Sequence, residues 1–229
     1  MLENYSNRKN IYQLKELAIA LTFCGGFIDA YAFMERGHTM AAGQTGNIIF
    51  LGIDIAQHNV PGLLAKILSL IAFIAGTAVA VWISHLKNIR YWRIYCVIPL
   101  IITCFVVGCF PDSAPSALTV PPLSFGLAMQ CAAFDKIEGQ AYNNIFSTGN
   151  LKKAVTLLVN QHFKRDGELR EQAITYLGLV FGFMGGTICS AICDIYFGAY
   201  TIWGASILLI ILMFCYFILI RHRARDLGF

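Results

Sequence analysis

Asp29 is the residue of this chain whose presence packing explains least. It lies inside the apolar run Leu17 to Met34, where insertion scales charge a central carboxylate roughly 2.5–3.5 kcal/mol. Two roles would justify that cost. Asp29 binds a cation, a proton or the donor groups of a solute, or it caps the backbone of a broken helix. Gln130 holds the matching place in a later apolar run, Ala117 to Phe134. It donates and accepts without charge, so the pair predicts one pseudo-symmetric site with chemically unequal halves.

The tripeptide Thr-Gly-Asn occurs twice, at Thr45-Gly46-Asn47 and Thr148-Gly149-Asn150. In one reading, Thr or Asn caps a helix that starts at the following apolar residue, and Gly permits the tight entry. In the other, the helix start presents free N–H groups and partial positive charge to an anionic or carbonyl-bearing ligand. Asn47 and Asn150 are then ligand-facing amides. Glu35 and Glu138 each stand ten residues before their Thr. They either gate access and attract cations or are solvated interface charges beside Arg36 and Lys136.

Other chemistries are not written here. His38, His58, His85, His162 and His222 show no H-E-x-x-H pattern and no i, i+4 pair, and the eight cysteines lie in apolar runs without C-x-x-C spacing. No metal and no cofactor is expected from them. There is no G-x-S-x-G elbow and no P-loop, so the expected protein is not an enzyme.

Elements of a particular kind must position these residues. The chain has 229 residues, 57% hydrophobic and only 13% charged, with a mean hydropathy of +0.63; that composition belongs in lipid and excludes a soluble enzyme. Six runs are long enough to span as helices: Leu17 to Met34, Ile67 to His85, Ile94 to Phe110, Ala117 to Phe134, Ala173 to Cys193 and Ile202 to Ile220. Gly43 to Gln57 and Phe146 to Gln161 are short and polar-interrupted, which predicts half-helices or re-entrant pieces. Tyr91, Trp92 and Trp203 suit interface anchoring, and no removable signal peptide is expected at the N-terminus.

The net charge of +4 is spread in short clusters, which argues for topology signals and against a nucleic-acid face. These are Arg8, Lys9 and Lys15; Lys87, Arg90 and Arg93; Lys152, Lys153, Lys164, Arg165 and Arg170; and Arg221, His222, Arg223 and Arg225. Six crossings, with both short segments entering and leaving on one side, place every cluster on the cytoplasmic face. Pro111 to Pro115 and Asp194 to Tyr200, which lack Lys and Arg, then lie outside, and both tails are cytoplasmic.

The halves also resemble each other. The Thr-Gly-Asn copies are offset by 103 residues, Gly25-Gly26-Phe27-Ile28-Asp29 aligns with Gly126-Leu127-Ala128-Met129-Gln130 at 101, and Phe73-Ile74-Ala75-Gly76-Thr77 aligns with Phe183-Met184-Gly185-Gly186-Thr187 at 110. Each unit has three crossings, an odd number, so the copies enter the membrane from opposite faces. The expected fold is an all-α polytopic membrane protein in a single membrane domain, residues 1–229. Its six transmembrane helices form two inverted 3+3 repeats, 11–110 and 117–221. Gly178, Gly182 and Gly186, echoed by Gly76, predict close helix packing, either between repeats or across a homodimer.

The chain resembles the YoaK-type (UPF0700) family of bacterial membrane proteins. The stretches that carry the likeness are G-F-I-D-A from Gly26, Q-T-G-N-I-I-F-L-G from Gln44, G-L-A-M-Q from Gly126 and S-T-G-N from Ser147. The resemblance implies a six-span inner-membrane protein and no particular activity.

The residues themselves point to a small permease or channel-like transporter of the plasma membrane. Its partners are the lipid bilayer and a small organic solute, an anion among the candidates, held at the midplane by Asp29, Gln130, Thr45, Gly46, Asn47, Thr148, Gly149 and Asn150. Two alternatives stand beside it: a non-transporting membrane sensor or partner protein, and an intramembrane lipid-modifying enzyme.

Overall fold

A long apolar run satisfies its backbone in lipid by coiling, and these runs do form helices. The computed structural model describes residues 11–86, 91–164 and 166–226. A 3-10 turn at Ile11–Gln13 leads into α1 (Lys15–Glu35), α2 (Gln44–Ala56), α3 (Val60–His85), α4 (Trp92–Val107) and α5 (Ser116–Ala133). A short antiparallel hairpin, β1 (Lys136–Ile137) with β2 (Gln140–Ala141), precedes α6 (Ser147–Lys164) and α7 (Gly167–Phe197). A 3-10 turn at Gly198–Thr201 then opens α8 (Ile202–Asp226). Of the orientation charges, Arg8, Lys9, Lys87, Arg90 and Arg165 and the side chains of Lys164, Arg223 and Arg225 lie outside the described residues.

Local chemistry sets several boundaries. Asn59 accepts from the Gly62 N–H at 3.3 Å ahead of α3, whose first turn holds Pro61, the residue that needs no donor there. Asp166 accepts from the Glu168 N–H at 2.9 Å ahead of α7. That helix ends at Gly198, whose φ of +50° turns the chain towards α8.

Among the described residues, three helical stretches are long and apolar enough to cross a bilayer: Lys15–Glu35, Val60–His85, and Gly167–His222, which takes in α7 and all but the last turn of α8. With 26 residues, α3 is about 39 Å long and exceeds the ~30 Å hydrocarbon core, whereas α4, with 16, reaches only about 24 Å. The run expected to continue to Phe110 leaves the helix after Val107 because the chain turns at Gly108 and Cys109 towards Pro111.

The interior is organised around α1: 61% of its most apolar 18-residue stretch is buried, against 17% of that of α3. In the main contacts, α3 lies along α5 and α7 along α1; α2 packs on α3 and α6 on α7; α4 packs on α5 and α8 on α1; and α4 meets α8. Exchanging α1–α4 with α5–α8 turns each of these contacts into another of the same set, and α4–α8 into itself. Glycines make the closest two possible. A Cβ at Gly76 would overlap the Phe125 carbonyl of α5, and one at Gly186 would overlap the Phe23 carbonyl of α1. Gly178 and Gly182 both lie against Ile19, so the glycine stripe of α7 packs on α1 within one chain. Large apolar side chains such as Ile74, Phe181 and Phe214 face outward, as a lipid-contacting surface requires.

Arg36, expected at the interface beside Glu35, is only 1% exposed. Its guanidinium donates to the carbonyls of Pro111 at 2.9 Å and Val107 at 3.2 Å, and to the Tyr31 hydroxyl at 2.8 Å. Tyr31 in turn donates to Ala199 O at 3.0 Å. The inward turn brings Arg36 to the C-terminal end of α4 and the turn after it, where the negative end of the helix dipole favours a cation.

Candidate functional site

The chain after α1 folds back alongside it, bringing the start of α2 to Asp29, six residues before the end of α1. The Asp29 carboxylate accepts from the backbone N–H of Ala42 at 2.7 Å and, at 3.4 Å, from that of Gly43, the residue just before α2. At the other end of α1, Gln13 accepts from the N–H groups of Glu138 and Gly139 in the hairpin turn, at 3.1 and 2.8 Å. The following loop then climbs along α1 until Asn144 and Ile145 pack against Gly25. Two helix starts, arriving from opposite ends of α1, therefore meet it at Gly25 and Asp29, about one turn or 6 Å apart.

The same device closes both loops. Asn47 accepts from the Met40 N–H at 2.8 Å and donates to the Met40 carbonyl at 2.7 Å. Asn150 accepts from the Asn143 N–H at 3.4 Å and donates to the Asn143 carbonyl at 2.7 Å. Both amides are spent on backbone seven residues upstream, so they are turned to their own loops and not to a ligand. The helices begin at Gln44 and Ser147. Thr-Gly-Asn accordingly forms part of the first helical turn and does not precede it, which corrects the expected capping arrangement. Thr45, Thr148 and Gly149 are exposed and Gly46 is half-buried against Met40.

The two halves differ in what receives the N–H groups at the loop end. In the first half the acceptor is Asp29. In the second, Ile145 and Phe146, offset by 103 from Ala42 and Gly43, donate to the side chain of Asn143 at 3.0 and 3.1 Å. Gln130, the counterpart of Asp29, therefore has no loop to hold. It is fully buried, its Nε2 donates to Leu21 O of α1 at 3.4 Å, and its Oε1 has no partner. Asn144 Oδ1 is unpartnered as well, while its Nδ2 donates to Phe134 O at 3.2 Å. Beside Asn144 lies the Tyr142 hydroxyl, which makes no well-formed hydrogen bond. Each such buried group costs roughly 1–3 kcal/mol.

The remaining candidates stand apart. Glu35 is half-buried and faces Asp194, with Asp112 near both. Glu138 is exposed in the β1–β2 turn with a φ of +48°, more than the length of α1 from Glu35. Among the described residues no group of three or more His, Cys, Asp or Glu is placed to hold a metal ion.

Polar contacts that the sequence reading passed over cluster on α2 and α3. Lys66 Nζ lies 2.7 Å from Asp54 Oδ2, both side chains are at least 91% buried, and Asn59 donates to the other Asp54 oxygen at 2.8 Å. Lys66 was hidden because it abuts the apolar run that begins at Ile67. Ser69 of α3 bonds Ser124 of α5 at 2.6 Å, donates to Met40 O and accepts from Gln44. Lys66 also sits 6.0 Å from the Phe50 ring centre, and Lys153 sits 5.1 Å from that of Tyr176. Phe50 and Lys153 are offset by 103 and Lys66 and Tyr176 by 110, so cation and ring have exchanged helices between the halves.

Comparison with known proteins gives the family of the chain. A family model described as "Protein of unknown function (DUF1275)" matches residues 17–215. The UPF0700 transmembrane protein YoaK of Bacillus subtilis (strain 168) is 22% identical over 198 residues, covering 82% of this chain and 88% of that protein. No solved structure matches the chain. With most of its length inside the family model and its apolar helices packed around α1, the chain belongs to the DUF1275 family and is a YoaK-type membrane protein.

Proposed function

We propose that this protein is a small permease of the bacterial plasma membrane, with six crossings arranged as two inverted 3+3 repeats and both tails in the cytoplasm. The observation that carries the reading is the meeting of two half-helix starts on α1 at Gly25 and Asp29, one from each end of that helix. In transporters built this way, the substrate site lies where the broken elements of the two repeats converge, and access alternates as one repeat rocks against the other. The pairwise exchange of helix contacts, the twin Asn clamps and the swapped lysine–aromatic pairs support the same architecture.

The substrate is a small organic solute. Its binding surface is not the free helix N-termini, because Ala42 and Gly43 already donate to Asp29, and Ile145 and Phe146 already donate to Asn143. Gln130, on α5 and bonded to α1, joins the halves and has a free acceptor. Reconstitution into liposomes, with flux measured for a panel of polar solutes, tests the reading. Selective flux above that of empty vesicles is expected; a panel that moves no faster than through bare lipid would sink it.

A further inference from the structure

Three polar side chains of the second half, on segments packed against α1, carry oxygens that make no well-formed hydrogen bond. Tyr142 shares a buried cluster with Ala18, Gln130 bonds to Leu21 and the Asn144 backbone lies against Gly25, and these three α1 positions follow one another at roughly one-turn spacing. Gln130 and Asn144 are fully buried and Tyr142 is 7% exposed. In both amides the nitrogen is engaged, on Leu21 O and on Phe134 O, and the oxygen is the atom left over. Two amide oxygens and one hydroxyl make up the set, and no carboxylate, Lys or Arg belongs to it.

We infer that Gln130 Oε1, Asn144 Oδ1 and the Tyr142 hydroxyl form the recognition surface for a neutral solute rich in hydrogen-bond donors, of the small polyol or amide class. This rests on the permease reading and names its substrate class. An anion would be desolvated with no cation beside it, and a cation would be desolvated against neutral oxygens alone. A neutral hydroxylic or amide solute supplies the missing donors and brings no charge to bury. Because the three side chains are enclosed, the solute reaches them only when the 142–146 loop moves off α1.

The test is vesicle swelling with the full-length protein in liposomes, using erythritol and acetamide as neutral probes and lactate as the anion. Erythritol or acetamide flux is expected to exceed that of lactate at least tenfold. Gln130→Met should bring it down to the level of empty vesicles, while the melting temperature stays within a few degrees of wild type. Asn144→Leu serves as the second variant, and Gly52→Ala, which meets nothing within 4 Å, as the unchanged control. Lactate flux without neutral flux would overturn the substrate class and leave the permease reading standing. Neutral flux untouched in a folded Gln130 or Asn144 variant would overturn the site, and no flux of any probe would overturn both readings. If neither variant folds, the wild-type selectivity between neutral and anionic probes decides the class alone.

Discussion

Asp29 and Asn143 perform one task from two different elements. Each uses a side-chain oxygen to receive two consecutive backbone N–H groups just ahead of a half-helix, at 2.7 and 3.4 Å for Asp29 and at 3.0 and 3.1 Å for Asn143. Asp29→Ala would leave the Ala42 and Gly43 donors enclosed without an acceptor, a loss of roughly 2–5 kcal/mol. Asp29→Asn keeps an acceptor oxygen and should lose less than half as much, and Asn143→Ala should resemble Asp29→Ala. Thermal melts in one detergent give the ranking; equal melting temperatures for Asp29→Ala and wild type would show that the loop does not depend on this carboxylate.

The twin clamps predict twin penalties. Asn47→Leu and Asn150→Leu each strand one N–H and one C=O, at Met40 and Asn143 respectively. Each should cost about 2–4 kcal/mol, and Asn→Asp at either position should fall between Leu and wild type, since Asp accepts but does not donate. A large penalty at one position with none at the other would deny that the loops are equivalent.

For the Asp54–Lys66 pair, the sign of the double variant is the informative quantity. Removing one partner strands a buried charge and costs roughly 3–5 kcal/mol, whereas replacing both with apolar residues of similar size is near neutral. Asp54→Leu and Lys66→Met should therefore each lower stability strongly, and the combined variant should recover most of it. Additive losses in chemical denaturation would argue that the 2.7 Å contact is energetically idle.

Glycine substitutions should sort by what the backbone meets. Gly186→Val and Gly76→Val place carbon on the Phe23 and Phe125 carbonyls, so little folded protein should be recovered. Gly52→Ala on α2 meets nothing within 4 Å and should be neutral or stabilising by up to about 1 kcal/mol, the helix preference of Ala over Gly. Yield and melting temperature after size-exclusion chromatography distinguish these outcomes.

Orientation is open to direct chemistry. Asp112 and Lys152 are both exposed and fall on opposite faces in the proposed topology. In a background with the exposed Cys109 and Cys215 changed to Ser, a membrane-impermeant maleimide should label Asp112→Cys in intact cells and Lys152→Cys only after lysis. The reverse pattern would invert the topology, and labelling of both in intact cells would remove the six-span arrangement.

Residue types alone determined residence in lipid, two interrupted segments among longer runs, and two halves aligned at offsets of 101, 103 and 110. They do so because a helix in lipid satisfies its backbone within its own segment, which makes run length and interruption local signals. They also singled out Asp29, Gln130 and both Thr-Gly-Asn copies, but not their duties. Only the folded chain brings Asp29 to N–H groups 13 and 14 residues away, and carries the carbonyls of Val107 and Pro111, 71 and 75 residues on, to Arg36. Likewise, Gln130 is left with a free oxygen because Asn143, whose counterpart Met40 offers no such acceptor, takes the loop donors first. Those assignments depend on which groups meet once the loops fold back against α1, and hydrophobic spacing carries no record of that encounter.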